Sequence, residues 1–237
     1  MKENINKQLE NLYRLRWNKL AYELNNIISD DKYEIKPTNP LLLNHADPKS
    51  FELADIRVMI IGQENNDWEG PFYNNFEKIL SIYPRFYQGY WYPHKGQFRN
   101  HYNHIVWLLE NKFPDKKISF FWSNVIKVGK ANEKGLPPEY ILNIVKKDFS
   151  VLNEEIAIIK PNLILFLSGP YYDGHILDQL PNLEISNIEG FPTNVLASFK
   201  IDSVENSFRT YHPVNMNFLG KEKYNEIYNT VLSKLHL

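Results

Sequence analysis

The 237-residue chain contains no cysteine. That excludes disulfides, iron–sulfur clusters and thiolate zinc sites. It also lacks a surplus of either charge: 27 Lys and Arg stand against 28 Asp and Glu, a net charge of −1. A protein that grips a long nucleic-acid duplex usually carries a basic excess. A broad phosphate-binding surface is therefore not expected, although a local basic rim is compatible with this balance. No apolar run approaches the roughly 20 residues of a membrane span. The first residues, Met1-Lys2-Glu3-Asn4, lead into a charged amphipathic pattern and not into an apolar signal core. The expected location is intracellular, in the cytoplasm, with no membrane partner. Internal repeats, low-complexity tracts and linkers are also missing.

What is there suits one domain. Hydrophobic residues make up 43% of the chain and charged residues 23%, enough apolar material for a core and an ordinary soluble surface. Residues 6–28 read as a helix with Leu9, Leu12, Leu15, Leu20 and Leu24 near one face. A loop punctuated by Pro37, Pro40 and Pro48 follows, so residues 1–50 are expected as an extension of the domain. Three short continuous apolar runs, Arg57 to Ile61, Ile118 to Trp122 and Leu163 to Leu167, read as strands buried on both faces. Helical patterns lie at Phe98 to Asn111, Pro138 to Lys160, Tyr172 to Leu180 and Leu219 to Leu235. Asn194 to Lys200 and Ser207 to Tyr211 are strand-like. Strands alternating with helices predict an α/β fold: a three-layer α/β/α sandwich around a mainly parallel, four-stranded central sheet.

Four polar stretches follow apolar strand patterns in turn: Gly62-Gln63-Glu64-Asn65-Asn66, Trp122-Ser123-Asn124, Phe166-Leu167-Ser168-Gly169 and His212-Pro213-Val214-Asn215-Met216. Ligands of open α/β sheets bind just outside the carboxyl ends of the strands, so all four are expected as loops around one pocket. Glu64, or Asp67 nearby, is a carboxylate that can orient a water or stabilise a cationic transition state. The Asn124 amide offers one acceptor and two donors, which matches a uracil-like edge with a ring N–H beside a carbonyl. A neutral His212 can donate a hydrogen bond to a leaving group. Lys127, Lys130 and Lys134 form a basic cluster suited to phosphate or to a solvated face. The Ser168-Gly169 turn lacks the Gly-Lys-Ser/Thr ending of a nucleotide P-loop. His101 and His104, with His94 upstream, have metal-ligand spacing but no completing carboxylate, so a surface helix is expected and no metal or other cofactor. The stretch from Tyr83 to Trp107 interleaves aromatics with Arg85, Lys95 and Arg99, a composition suited to stacking on bases and equally to an ordinary core. Taken singly, each motif also fits a turn, a cap or a structural hydrogen bond.

Taken together and in order, the four motifs resemble the uracil-DNA glycosylase superfamily from about residue 55 onward. Its first motif is Gly-Gln-Asp-Pro-Tyr, where this chain has Gly62-Gln63-Glu64-Asn65-Asn66. Its second is an apolar strand ending in Asn and followed by Val…Gly…Ala-Asn, matched by Phe120 to Asn124 and then Val128-Gly129-Lys130-Ala131-Asn132. Its last is His-Pro-Ser-Pro-Leu before a Phe-containing helix, matched by His212 to Met216 and Phe218. The resemblance implies hydrolysis of the bond between a flipped-out base and deoxyribose in single- or double-stranded DNA, by a monomer working in base excision repair without a cofactor. It implies base contacts from Gln63 and Asn124. It implies a hydrogen bond from His212 to the departing carbonyl, and an apolar wedge at Met216. Asn66 takes the place of a Tyr that screens 5-substituted bases. Phe72 and Phe76 are the candidates for stacking on the base. Ser168, Gly169, Asn215, Lys127 and Lys130 are the candidates for DNA contacts. Two departures bear on activity. Glu64 is one methylene longer than the family's Asp, and Val214 and Asn215 replace part of its phosphate grip. A nucleic-acid or modified-base binding module on the same fold, without turnover, is the alternative that the altered first motif and the near-neutral net charge leave open.

Overall fold

The computed structural model describes residues 3–85, 96–202 and 204–235. The fold is α/β, with one six-stranded mixed sheet in the order β2-β1-β3-β6-β5-β4. The strands are β1 (Ile56–Asn66), β2 (Ile118–Lys130), β3 (Leu163–Phe166), β4 (Glu184–Asn187), β5 (Leu196–Lys200) and β6 (Asn206–Thr210). β3 runs parallel to β1 and to β6, with Ile60 opposite Leu165 and Leu165 opposite Phe208. β5 is antiparallel to both β6 and β4. The backbone N–H groups of Asp55 and Ile56 donate to Lys117 O where β1 and β2 begin. At their other ends the Asn65 amide donates to Lys127 O, so the two strands run the same way.

The expected four-stranded sheet is thus exceeded by two strands. β5 matches the expected strand-like segment. β4 escapes a sequence reading because all four of its residues are exposed and carry no apolar alternation. A second correction concerns the polar stretches after the first two apolar runs. They are not loops: β1 continues through Asn66 and β2 through Lys130. Polar side chains are tolerated inside these strands because they bond to one another and to backbone, as described below.

The chain divides into two compact units, Met1–Pro48 with Glu64–Trp91 and Asn124–Ile158, and Lys49–Gln63 with Tyr92–Ser123 and Ile159–Leu237. In the first unit, α1 (Ile5–Ser29) is capped by Asn4, whose side chain accepts from Lys7 N. Leu9, Leu12, Tyr13, Trp17, Leu20 and Leu24 form its buried stripe, while Leu15 is 84% exposed. Six residues beyond Leu9, Leu15 has turned roughly 120° away from it, so the leucines do not all share a face. The helix expected over 138–160 is two, α6 (Glu139–Asp148) and α7 (Leu152–Ile159). Phe149 leaves the helical conformation between them and is buried with its ring 6.0 Å from that of Tyr13. Short helices α2 (Pro48–Glu52), α3 (Phe76–Leu80) and α4 (Ile82–Arg85) complete the first half of the chain.

In the second unit, β3 is buried along its whole length and reads as a continuous apolar run for that reason. β6 is equally buried but polar. Asn206 Nδ2 donates to Asn162 O and Thr210 Oγ1 donates to Val195 O, while the Ser207 hydroxyl has no partner among the described residues. Helix α5 (Gln97–Lys112) buries His101, Tyr102, Ile105 and Leu109 at helical spacing. α8 (Asp173–Gln179) follows a 3₁₀ turn at Pro170–Tyr172, and α9 (Pro213–Leu219) and α10 (Lys221–Ser233) close the chain. No helix among the described residues is long and apolar enough to cross a membrane.

Candidate functional site

The candidate residues fall into both units. In the first, they gather at the carboxyl ends of β1 and β2. Strand alternation sends Glu64 and Asn65 to opposite faces, and both are buried. Asn124 Nδ2 donates to Asn65 Oδ1 at 2.8 Å. Asn65 Nδ2 in turn donates to the backbone oxygen of Lys127. Gly129 makes this approach possible, since a Cβ there would lie 1.6 Å from Asn65 O. After β1 the chain turns through Asp67 and Glu69, both at positive φ (47° and 56°). Asn66 Oδ1 accepts from Gly135 N and Asp67 Oδ1 accepts from Asn132 N, both at the surface. These two side chains therefore pin their turn to the segment after β2, and Asp67 is a weaker carboxylate candidate than the buried Glu64.

Three expectations for this unit are corrected. Lys127 is no phosphate contact: its side chain has 0% exposure and its Nζ lies 2.6 Å from Glu155 Oε2. Tyr13 OH donates to Glu155 Oε1 at 2.7 Å, and Leu43 N donates to Tyr13 OH. Burial pushes the Lys127 ammonium down from its ordinary range and the Glu155 carboxyl up. Phe72 and Phe76 do not offer a stacking face either. Both are buried, with ring centroids 6.0 and 5.0 Å from Trp17 on α1. Lys130 remains near the surface and pairs with Glu133 at 3.3 Å.

In the second unit, Gln63 Nε2 donates to Ser168 O at 2.7 Å and ties the β1 end to the turn after β3. Gly169 holds φ at +74°, a conformation that favours glycine, and its N–H donates to Thr210 O. Ser168 and Gly169 are both buried, so neither presents itself to a DNA backbone as expected. The Ser168 hydroxyl has no partner among the described residues. Arg209 on β6, 1% exposed, makes a bidentate pair with Asp173 at 3.0 and 2.9 Å and donates to Asn194 O. That pair ties the start of α8 to the strand leading into His212.

His212 caps α9: its Nδ1 accepts from Val214 N at 3.3 Å. Burial lowers its pKa to about 4, with a smaller contribution from the nearby His101. The ring is neutral at pH 7. Because Nδ1 accepts, the proton of the neutral ring sits on Nε2, which is left as a donor. Phe98 on α5 lies with its ring 6.1 Å from His212 and 6.2 Å from Trp122. The expected wedge, Met216, is 0% exposed, with its sulfur packed 3.6 Å from the Thr210 hydroxyl oxygen. On the same helix Phe218 is 86% exposed, Val214 is 44% exposed, and Asn215 is at the surface. His101 is engaged rather than poised for metal: its ring nitrogens contact Tyr228 OH at 2.7 Å and Asn217 Oδ1 at 3.1 Å. His104 meets Asn225 Oδ1. His94 and Lys95 lie outside the described residues.

Comparison with models of known protein families gives no match, and comparison with curated protein sequences gives none. The resemblance to the uracil-DNA glycosylase superfamily thus rests on the motifs themselves. Three residues went unassigned in the sequence reading. Asn65 was hidden in a polar run read as a loop. Phe98 sits in the aromatic and basic segment, which gave no way to choose among its rings. Phe218 is two residues beyond the methionine, and only the helical turn of α9 decides which of the two is outside.

Proposed function

We propose that the chain is a divergent glycosylase of the uracil-DNA glycosylase superfamily, removing uracil or another modified pyrimidine from DNA. In this reading β2, β1, β3 and β6 are the four-stranded parallel core of that fold, sandwiched between helices and extended by β5 and β4. The supporting observation is the fixed polarity of His212. A neutral ring with Nδ1 occupied can only donate from Nε2, the role that a departing base anion requires.

The chemistry follows from these groups. The N-glycosidic bond breaks and its electron pair goes to the base, whose carbonyl oxygen accepts the Nε2–H hydrogen bond of His212. The sugar develops oxocarbenium character. Water adds at the anomeric carbon and gives its proton to Glu64 or to solvent. Asn124 reads the base edge, Phe98 offers a ring beside His212, and Gln63 holds the turn at Ser168. Phe218 replaces Met216 as the apolar group that enters the gap in a duplex. A mis-set nucleophile costs on the order of 100-fold for an ångström of displacement; the longer Glu64 is therefore expected to give slow turnover.

The second reading, a base-binding module without turnover, is favoured by the burial of Lys127, Ser168 and Gly169, which removes expected DNA contacts. One experiment separates the two. Purified protein in excess is incubated with single- and double-stranded oligonucleotides carrying uracil, 5-hydroxymethyluracil, thymine mismatches or hypoxanthine, and abasic sites are cleaved with alkali. Strand scission at one of these bases supports the glycosylase. Saturable binding with no scission supports the module. No binding even at low salt overturns both.

A further inference from the structure

We infer that Asn65 determines which base edge Asn124 can read; the inference rests on the base-reading role proposed for Asn124. The hydrogen bonds have a forced direction. A backbone carbonyl has no proton, so Lys127 O can only accept, and the Asn65 amide must turn its Nδ2 toward it. That leaves Asn65 Oδ1 on the other side, where it accepts from Asn124 Nδ2 at 2.8 Å. Asn124 is thereby held with one sense of its amide. Turned by 180°, it would set its own oxygen against Asn65 Oδ1, two acceptors facing each other among residues only 2% and 3% exposed. Lys127 O is itself fixed within β2 and also receives Leu41 N at 2.8 Å.

The consequence is chemical selection. The fixed amide offers Oδ1 as an acceptor and its remaining N–H as a donor. This order complements bases with a ring N–H beside a carbonyl, such as uracil, its 5-substituted forms and hypoxanthine. Cytosine and adenine present the reverse order, a ring nitrogen acceptor beside an amine, and would need the reversed amide. Asn65 stands where the resembled motif has proline, which carries no side-chain amide, so this lock belongs to the present chain. Asn65 is a positioning residue, acting through Asn124.

The test compares release of uracil and cytosine from otherwise identical single-stranded oligonucleotides, by mass spectrometry of free base. Asn65→Ala and the same-sized Asn65→Leu free the Asn124 amide, and the uracil-over-cytosine ratio falls by about tenfold or more, the worth of one net hydrogen bond. Asn65→Asp can still only accept from Asn124 and keeps most of the ratio, although it disturbs the contact with Lys127. A merely structural Asn65 would rank the variants by stability instead. If both apolar variants fail to fold, the wild-type chain carries the test by NMR: the Asn124 side-chain amide exchanges markedly more slowly than that of exposed Asn66. An unchanged ratio in Asn65→Ala, an Asn65→Asp ratio as low as that of Asn65→Ala, or fast exchange at Asn124 overturns the inference alone. Wild-type protein that releases no base while its Asn124 amide is protected overturns the glycosylase reading, and the specificity role with it.

Discussion

Lys127 Nζ and Glu155 Oε2 lie 2.6 Å apart with no solvent exposure on either side chain. Removing one partner of such a pair leaves an uncompensated buried charge, at a cost of about 3–5 kcal/mol. Lys127→Met and Glu155→Gln should each fall in that range by urea denaturation at pH 7. The double variant should be more stable than either single one, because the amide oxygen introduced by Glu155→Gln still accepts from Tyr13 and no lone charge remains. Single variants within 1 kcal/mol of wild type would contradict the buried pair.

Gly129 is set by contact and not by backbone angle. A methyl group there would stand 1.6 Å from Asn65 O, a backbone atom that moves only if the end of β1 moves. Gly129→Ala is expected to cost about 1–3 kcal/mol and to disturb the Asn65 contact to Lys127. Loss of stability should come with loss of the protected Asn124 amide, measurable in the same sample.

Sequence periodicity exposed those parts of the fold whose burial is simple. β3, paired on both sides and buried along its whole length, shows as a continuous apolar run, and α5 shows its buried face at helical spacing. It failed where polar groups are buried. The run from Gly62 to Asn66 looks like a turn because polarity usually marks solvent, yet here Asn65 and Asn124 satisfy each other within strands. Lys127 misled in the same way: a lysine beside Lys130 reads as a basic surface until Glu155, 28 residues on, is seen to meet it. Ion pairs between distant segments leave no local signature. The depth of Met216, Phe72 and Phe76 was equally invisible, since an apolar residue reads alike whether it is packed or offered to a ligand.

His212 titrates far below an ordinary histidine. Its pKa is about 4 in the folded chain, against roughly 6.5 when unfolded. The unfolded state therefore binds the proton first as pH falls. The stability contributed by keeping this ring neutral is fully present above about pH 6.5 and is lost as pH falls through about 4. Wild type should lose stability relative to His212→Gln across that window. The Nε2–H is carried by the neutral and the protonated ring alike, so the hydrogen bond that His212 gives to a departing base should persist across this window. An NMR midpoint for His212 near 6.5 would refute the burial that sets this value.

Phe218 and Met216 share α9 but face opposite environments, 86% and 0% exposed. Truncating the buried methionine opens a cavity, so Met216→Ala should cost about 2–5 kcal/mol and lower every activity through stability. Phe218→Ala touches a solvated ring and should leave stability within about 0.5 kcal/mol. If Phe218 fills the space of an extruded base, its loss should slow release from duplex DNA much more than release from single strands, which have no stack to hold open. Equal rates for wild type and Phe218→Ala on duplex substrate would remove Phe218 from that role, and would do so without any ambiguity from unfolding.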